Sequence, residues 1–411
     1  MKIKSEFLKI LYDRGFVHQI TDLSSLDKQL LKKNQSGYIG FDCTAPSLHV
    51  GSLIQIMMLR WFQKTGHRPI ILVGGGTTKI GDPSGKDSAR PILSTKIIDK
   101  NKLNIKKVFS RYIKFSSNND DAIMIDNKTW LDKINYISFL REYGSLFSIN
   151  KMLSLESIKL RIEREQNLSF LEFNYPIFQA FDFLELKKNY NCILQMGGSD
   201  QWGNIVNGVE LIRKKTSKQS FGLTSPLLET SSGAKMGKSE NGAIWLDEKM
   251  LSNYEFWQYW RNTEDEDVIK FLKLFTEIEM NEIEKLTYLK GSKINEAKII
   301  LANEVTSLCR GKKAAKESAQ IALDTFVKSK INKNLPLFEI TSDSISIIDT
   351  LKLLNFSKSN GEARRLINGK GAKLNDSLII NENLIISKKD YKNQKLKISA
   401  GKKRHALINF K

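Results

Sequence analysis

Residues Pro69-Ile70-Ile71-Leu72-Val73 run directly into Gly74-Gly75-Gly76, and no other string restricts the possible fold as much. Five apolar residues make a run of strand length. Without polar alternation, it reads as a strand covered on both faces, as in a parallel sheet. Tyr38-Ile39-Gly40-Phe41, Ala122-Ile123-Met124-Ile125 and Cys192-Ile193-Leu194-Gln195-Met196 read as further strands. Between the first two strands, Leu53 to Phe62 is apolar almost all round and predicts a buried helix. Gly203 to Lys215 predicts a helix after the last strand. Alternation of this kind predicts an α/β fold with a doubly wound parallel sheet. The three glycines lack the spacing of a dinucleotide fingerprint, so no NAD site is read into them.

From about Leu251 to Val327 the apolar period changes to 3.6 residues, which predicts helices only. The aromatic string Asn253-Tyr254-Glu255-Phe256-Trp257-Gln258-Tyr259-Trp260 opens this region. It reads as packing between helices in preference to an RNA-stacking surface. Residues 328–347 are rich in Lys, Asn and Ser and read as a linker. The expected boundaries are therefore an α/β domain at 1–228, a loop and helical domain at 229–327, the linker, and a small α+β domain at 348–411.

With 411 residues there is room for two or three domains. The net charge of +20 points to a polyanionic partner. Nearly half of it lies in residues 331–411, which hold 16 Lys and Arg against seven Asp and Glu. Cys43, Cys192 and Cys309 are far apart, which argues against both a disulfide framework and a thiolate zinc site. The four histidines, at 18, 49, 67 and 405, have no metal-ligand spacing, and no metal site is expected. There is no apolar run of membrane-spanning length and no leader pattern. A cytoplasmic protein without membrane contact is expected.

Two strings carry the chemistry. Thr44-Ala45-Pro46-Ser47-Leu48-His49-Val50-Gly51-Ser52 leads into the buried helix, and Lys235-Met236-Gly237-Lys238-Ser239 follows a Gly/Ser-rich stretch. A helix N-terminus offers free backbone N–H groups and a favourable dipole for anions. Lysines on a mobile loop can engage phosphates only as a reaction proceeds, which raises the rate without tightening the ground state. Together the strings resemble the two signatures of class I aminoacyl-tRNA synthetases. The resemblance implies a Rossmann-like catalytic domain that uses ATP, with Mg²⁺ accompanying the phosphates and no tightly bound cofactor. It implies catalytic roles for Thr44, His49, Lys235 and Lys238, and ATP contacts from Asp42, His49, Gly51, Ser52, Gly198, Asp200, Lys235 and Lys238. Gly51 is expected to let the nucleotide approach the backbone. Ser52 stands where the family usually has a second His facing the ribose, so a hydroxyl or water is expected to substitute. Gly237 replaces the usual Ser, a small-for-small change. Lys86 and Arg90, in Gly81-Asp82-Pro83-Ser84-Gly85-Lys86-Asp87-Ser88-Ala89-Arg90, are candidate pyrophosphate contacts. Cys43 has no base beside it, and no thiol mechanism is read into it.

The remaining strings narrow the family. Tyr38, Gly81-Asp82-Pro83, Tyr175-Pro176-Ile177-Phe178-Gln179-Ala180-Phe181-Asp182 and Gln195-Met196-Gly197-Gly198-Ser199-Asp200-Gln201-Trp202-Gly203-Asn204 resemble the bacterial tyrosyl-tRNA synthetases. The resemblance implies that Tyr38 and Asp182 bind the substrate phenol, and that Asp82, Tyr175 and Gln179 hold its ammonium group with Gln201 nearby. It places Gly198 and Asp200 at the ribose. Taken singly, Tyr175, Gln179 and Asp182 could be one polar helix face. In the tail, Ser359-Asn360-Gly361-Glu362-Ala363-Arg364-Arg365-Leu366-Ile367 and Gly369-Lys370-Gly371-Ala372-Lys373-Leu374-Asn375 resemble the alpha-L RNA-binding motif. This implies that Arg364, Arg365, Lys370 and Lys373 contact RNA. The implied partners are the tRNA for tyrosine, L-tyrosine, ATP and a second copy of the chain. Two rival readings stand beside this one: a tryptophanyl-tRNA synthetase, and a non-catalytic RNA-binding protein built on a retired synthetase. Tyr38 with Asp182 speaks against the first, and intact His49, Lys235, Lys238, Asp82 and Asp200 speak against the second.

Overall fold

The computed structural model describes residues 2–82, 93–116, 118, 121–233, 236–239, 242–326, 335–388, 395–401 and 404–410. Six strands form the main sheet: β1 (Gln19–Ile20), β2 (Ser36–Phe41), β3 (Arg68–Val73), β4 (Ile123–Asp126), β5 (Cys192–Gly198) and β6 (Phe221–Ser225). Their order is β1-β6-β5-β2-β3-β4. All neighbours from β6 to β4 are parallel. The edge strand β1 pairs antiparallel to β6, Gln19 opposite Thr224. Chain order therefore runs outward in one direction from β2 and in the other from β5. The seam between them is the topological switch point where α/β folds bind ligands, beyond the carboxyl ends of the strands. The two-residue β1 is too short to carry a periodic pattern in the sequence.

The Leu53–Lys64 helix connects β2 to β3. Leu53, Ile54, Ile56, Met57, Met58, Leu59, Trp61 and Phe62 are all buried along it. Each large apolar side chain contributes about 1.5–3 kcal/mol on burial, so this helix is fixed by packing on nearly every side. Its far end is tied down by Arg14, whose guanidinium lies 4.6 Å over the Trp61 ring. Arg14 donates to the carbonyls of Lys273 (3.0 Å), Thr276 (2.9 Å) and Ile278 (2.6 Å). Arg60 adds paired hydrogen bonds to Glu277 at 2.8 and 2.9 Å.

The chain divides into two compact units. One comprises Met1–Leu251 with Glu264–Ala297; the other comprises Ser252–Thr263 with Lys298–Lys411. The region read as one helical domain is thus divided. Residues 264–297, with the Val268–Phe275 and Met280–Leu286 helices, pack with the sheet, through contacts such as those of Arg14 and Arg60.

In the second unit, the aromatic Asn253–Arg261 helix packs on the Lys312–Phe326 helix. Phe256, Trp257 and Trp260 are buried, and Trp257 Nε1 donates to Asn303 Oδ1 at 2.8 Å. The aromatic string is core, as expected. The small C-terminal sheet begins earlier than its composition indicated. Within the expected linker, β9 (Leu337–Ile340) pairs in parallel with the final strand β15 (Arg404–Phe410). β10 (Ser344–Ser346) pairs with β13 (Ile385–Ser387). Polar surface residues on these short strands masked a periodic signal. The five-stranded sheet is completed by β11 (Ala372–Leu374), β12 (Ser377–Leu378) and β14 (Leu396–Ala400), in the order β12-β11-β14-β15-β9. Among the described residues no helix is long and apolar enough to cross a membrane.

Candidate active site

A cavity of about 440 Å³ lies over the seam between β2 and β5. Tyr38 rises from β2 into its inner end and is 1% exposed. The Tyr175–Tyr190 helix presents Tyr175, Gln179 and Asp182 to the same cavity, the i, i+4, i+7 positions of one helix face. Asp182 is buried. Its Oδ1 accepts from Trp130 Nε1 at 2.7 Å and its Oδ2 from Asn127 Nδ2 at 2.9 Å. Asn127 is itself fixed by Thr77 Oγ1 (2.9 Å) and by the Gly76 N–H (2.8 Å). Burial pushes the Asp182 carboxyl up to about 7, against the opposing pull of its two donors. The Tyr38 hydroxyl is raised well above its ordinary value by burial, with Asp182 adding to the effect. That hydroxyl is buried without a hydrogen-bond partner. A buried phenol and a buried carboxyl lining one cavity suit a ligand carrying its own hydroxyl.

The side wall is a polar network. Gln201 Nε2 donates to Asp82 Oδ2 (2.9 Å) and to Asp200 Oδ2 (3.1 Å). Gln179 Nε2 donates to Gln201 Oε1 at 3.3 Å, and Asn204 Nδ2 bridges Gln179 and Gln201 at 3.0 and 3.2 Å. Two carboxylates flanked by amide oxygens form an acceptor-rich wall suited to an ammonium group. The glycines after β3 let the chain pass close to other residues at the carboxyl end of the sheet: a Cβ on Gly75 would lie 2.1 Å from Asp126 Oδ1.

The mouth is built by the first signature. Asp42, Thr44, Ser47, His49 and Ser52 line the cavity, as do Gly198 and Asp200 at the end of β5. His49 caps the short helical turn Val50–Ser52, and its Nδ1 accepts from the Gly51 N–H at 3.0 Å. In neutral imidazole this leaves Nε2 as the donor. Ser52 stands at the N-cap of the Leu53–Lys64 helix, and its hydroxyl makes no capping bond. Gly51 does not line the cavity. Its missing Cβ makes room instead for the His49 ring, 2.6 Å away, and the Met236 carbonyl, 3.1 Å away.

The second signature docks here. β7 (Lys238–Ser239) pairs with β8 (Gly242–Ala243). The chain beyond β8 holds the first signature through Val50 N–H to Ile244 O (2.9 Å) and Leu246 N–H to Leu48 O (2.9 Å). Gly237 has φ +102°, and a Cβ there would lie 2.7 Å from the Gly51 nitrogen and 2.9 Å from His49 Nδ1. Its replacement of the usual Ser is therefore a requirement of this contact and not a neutral exchange. Lys86, Arg90 and Lys235 lie outside the described residues, and Lys238 is described as backbone only.

In the second unit, Arg364 and Arg365 are exposed on the Asn360–Asn368 helix. Lys370 in the following turn and Lys373 on β11 are exposed as well. Arg364 Nε lies 3.6 Å from Glu382. Sequence reasoning missed Asn127, Trp130 and Asn204. The first two follow β4 directly, where the carboxyl-end rule could have found them. Among the described residues no three His, Cys, Asp or Glu side chains gather as a metal site.

Residues 31–328 match the family described as tRNA synthetases class I (W and Y). The chain is 54% identical over 413 residues to the tyrosine–tRNA ligase of Ehrlichia ruminantium, covering 99% of each chain. It is also 54% identical over 411 residues to that of Roseobacter denitrificans, again covering 99% of each. The solved structure of a C-terminally truncated mitochondrial tyrosyl-tRNA synthetase from Aspergillus nidulans superposes with a TM-score of 0.70 at 30% identity, covering 79% of this chain and 95% of that one.

Proposed function

Because the chain belongs to the bacterial class I tyrosyl-tRNA synthetases and joins tyrosine to tRNA at the expense of ATP, we propose how its residues divide that reaction. Tyrosine enters with its phenol toward Tyr38 and Asp182 and its ammonium group toward Asp82, Tyr175, Gln179 and Gln201. ATP lies across the mouth, its ribose by Gly198 and Asp200 and its phosphates by Asp42, Thr44, His49 and Ser52. The tyrosine carboxylate attacks the α-phosphorus, the bond to the β-phosphate oxygen breaks, and pyrophosphate leaves. His49, through Nε2–H, stabilises the negative charge that grows on the phosphates. Lys235 and Lys238 add to this from the second signature, with Lys86 and Arg90 as further pyrophosphate contacts. A hydroxyl of the terminal adenosine of tRNA then attacks the tyrosyl carbonyl, and AMP leaves.

Mg²⁺ is placed with the phosphates of ATP, and Asp42 is an oxygen donor of the kind it accepts beside phosphate and water. The observation that carries the assignment is the buried Tyr38 hydroxyl beside a buried carboxyl at the closed end of the cavity. Phenylalanine would leave the Tyr38 hydroxyl without a partner and would offer the Asp182 carboxyl no donor of its own. That tyrosyl-tRNA synthetases reject phenylalanine in this way is a known example of hydroxyl discrimination. ATP–pyrophosphate exchange with each of the twenty amino acids tests it. Exchange with tyrosine alone is expected, and exchange with phenylalanine or tryptophan at comparable rates would refute the pocket assignment.

The exposed basic residues Arg364, Arg365, Lys370 and Lys373 are proposed to hold tRNA, with the helices of 252–326 nearer its anticodon. A homodimer is proposed on the concentration of exposed apolar side chains between Tyr136 and Leu171, with Ile137, Ile149 and Phe170 each about two-thirds exposed. Sedimentation of the free protein tests this. The site of action is proposed to be the cytoplasm, where tRNA and ATP meet.

A further inference from the structure

The Thr95–Tyr112 helix turns Ile98, Asn101, Ile105, Val108, Phe109 and Tyr112 to the protein. On its opposite face Lys96, Lys100, Leu103 and Lys107 recur at intervals of four, three and four residues, and all are exposed. Such spacing aligns them in one stripe along the helix. Among the described residues Lys96, Lys100 and Lys107 make no ion pair. The nearby acid Asp99 is already engaged by Lys102 at 2.5 Å.

Local helix physics disfavours this arrangement. Lys96 lies in the first turn, where the dipole favours acids, and no acid is present there. Lys96 and Lys100 are like charges one turn apart. A solvated face with no task would be expected to mix signs, as the Lys159–Glu163 pair does elsewhere in the same unit. A helix that breaks its local rules without local compensation points to function.

The buried face of the helix places the stripe. Asn101 Nδ2 donates to the Cys43 carbonyl at 2.8 Å. Cys43 sits between Asp42 and Thr44, which line the cavity mouth. The stripe therefore lies about one helix diameter, roughly 10 Å, behind the wall of the site. Exposed lysines one and two turns apart, with no ion pair among the described residues, suit phosphates of a nucleic-acid strand. The reaction requires one strand, the acceptor end of tRNA, to reach this mouth.

We propose that the Lys96–Lys100–Lys107 stripe is a second RNA-contact surface of this chain, which holds the phosphates of the acceptor end of tRNA beside the active site. It rests on the tRNA ligase activity and adds a docking surface separate from the basic C-terminal unit.

The test is the full-length variant Lys96→Gln, Lys100→Gln, Lys107→Gln, assayed with tyrosine tRNA over a range of salt. KM for tRNA should rise about tenfold. The slope of log KM against log salt should fall by roughly 2, from ~0.7–0.9 per lost phosphate contact. Tyrosine-dependent ATP–pyrophosphate exchange should be unchanged, which keeps failure of this proposal distinct from failure of the active-site assignment. Tyrosine tRNA lacking its single-stranded 3′ end should bind wild type and variant equally. An unchanged tRNA KM and salt slope would overturn the proposal. So would a raised KM for ATP in the exchange assay, which would make the stripe a steering surface for ATP. A binding loss of equal size with the truncated tRNA would remove the acceptor end as the occupant and likewise overturn it.

Discussion

The Asp182 carboxyl, proposed above to receive the tyrosine phenol, also bears on stability, and replacing it with Asn should expose the link. The carboxyl has an ordinary value of 3.8 and stands at about 7 in the folded, substrate-free protein. Between these values the folded chain holds a proton that the unfolded chain has released. The contribution of Asp182 to stability is therefore fully present below pH 3.8 and is lost as pH rises through 7. At ~1.36 kcal/mol per pH unit, the loss between pH 5 and pH 8 is about 2.5 kcal/mol. In Asp182→Asn there is no proton to lose. The amide has one acceptor for two donors, Trp130 Nε1 and Asn127 Nδ2, which costs about 1–3 kcal/mol, but at every pH alike. Urea unfolding of the full chain at pH 5, 6, 7 and 8, without substrates, should show the stability difference between the two proteins shifting by about 2.5 kcal/mol in favour of the variant. Parallel profiles would refute the argument. Tyrosine binding should show the counterpart: a protonated Asp182 can no longer accept the phenol proton as a carboxylate, so Kd should rise up to tenfold per unit below about pH 7, and the variant should bind weakly at every pH.

Arg14→Ala should destabilise the catalytic unit by about 3–5 kcal/mol, since it removes three hydrogen bonds from a charged group and the stacking on Trp61; a change under 1 kcal/mol in urea unfolding would show that the anchor is dispensable. Gly237→Ser should slow adenylate formation tenfold or more while leaving tyrosine KM near wild type, because the added Cβ meets the Gly51 nitrogen and His49 Nδ1; pre-steady-state rates equal to wild type would mean that the close approach is not used in the reaction. Arg364→Ala with Arg365→Ala should weaken tRNA binding and lower its salt slope by roughly 1.5–2 while ATP–pyrophosphate exchange is unaffected; an unaltered slope would remove these residues from the RNA interface.

Much of the site was legible because its residues sit in strings with strong local meaning. Tyr38 lies within a strand string, His49 precedes a helix, and Tyr175, Gln179 and Asp182 repeat at helical spacing. What sequence reasoning could not see were contacts between distant strings. Asn127 and Trp130 hold Asp182 from more than 50 positions away; their place after β4 marks them as near the site, but nothing in the string names Asp182 as their partner. The close approach of Gly51 and Gly237 was hidden for the same reason: the two signatures pack against each other there, and neither string shows it alone. The strands of the main sheet were clear from their apolar runs, whereas β9 and β10 were hidden in a polar stretch whose pairing partners lie some 40 to 70 residues further on.

The pairing of β9 with β15 also sets when this part of the chain can take shape. The last strand, Arg404–Phe410, lies between β14 and β9 and bonds to both. A nascent chain therefore carries β9 and β14 with open edges until Arg404–Phe410 has left the ribosome. A chain interrupted before Arg404 would keep both edges open, and each could then pair with another chain and seed aggregation.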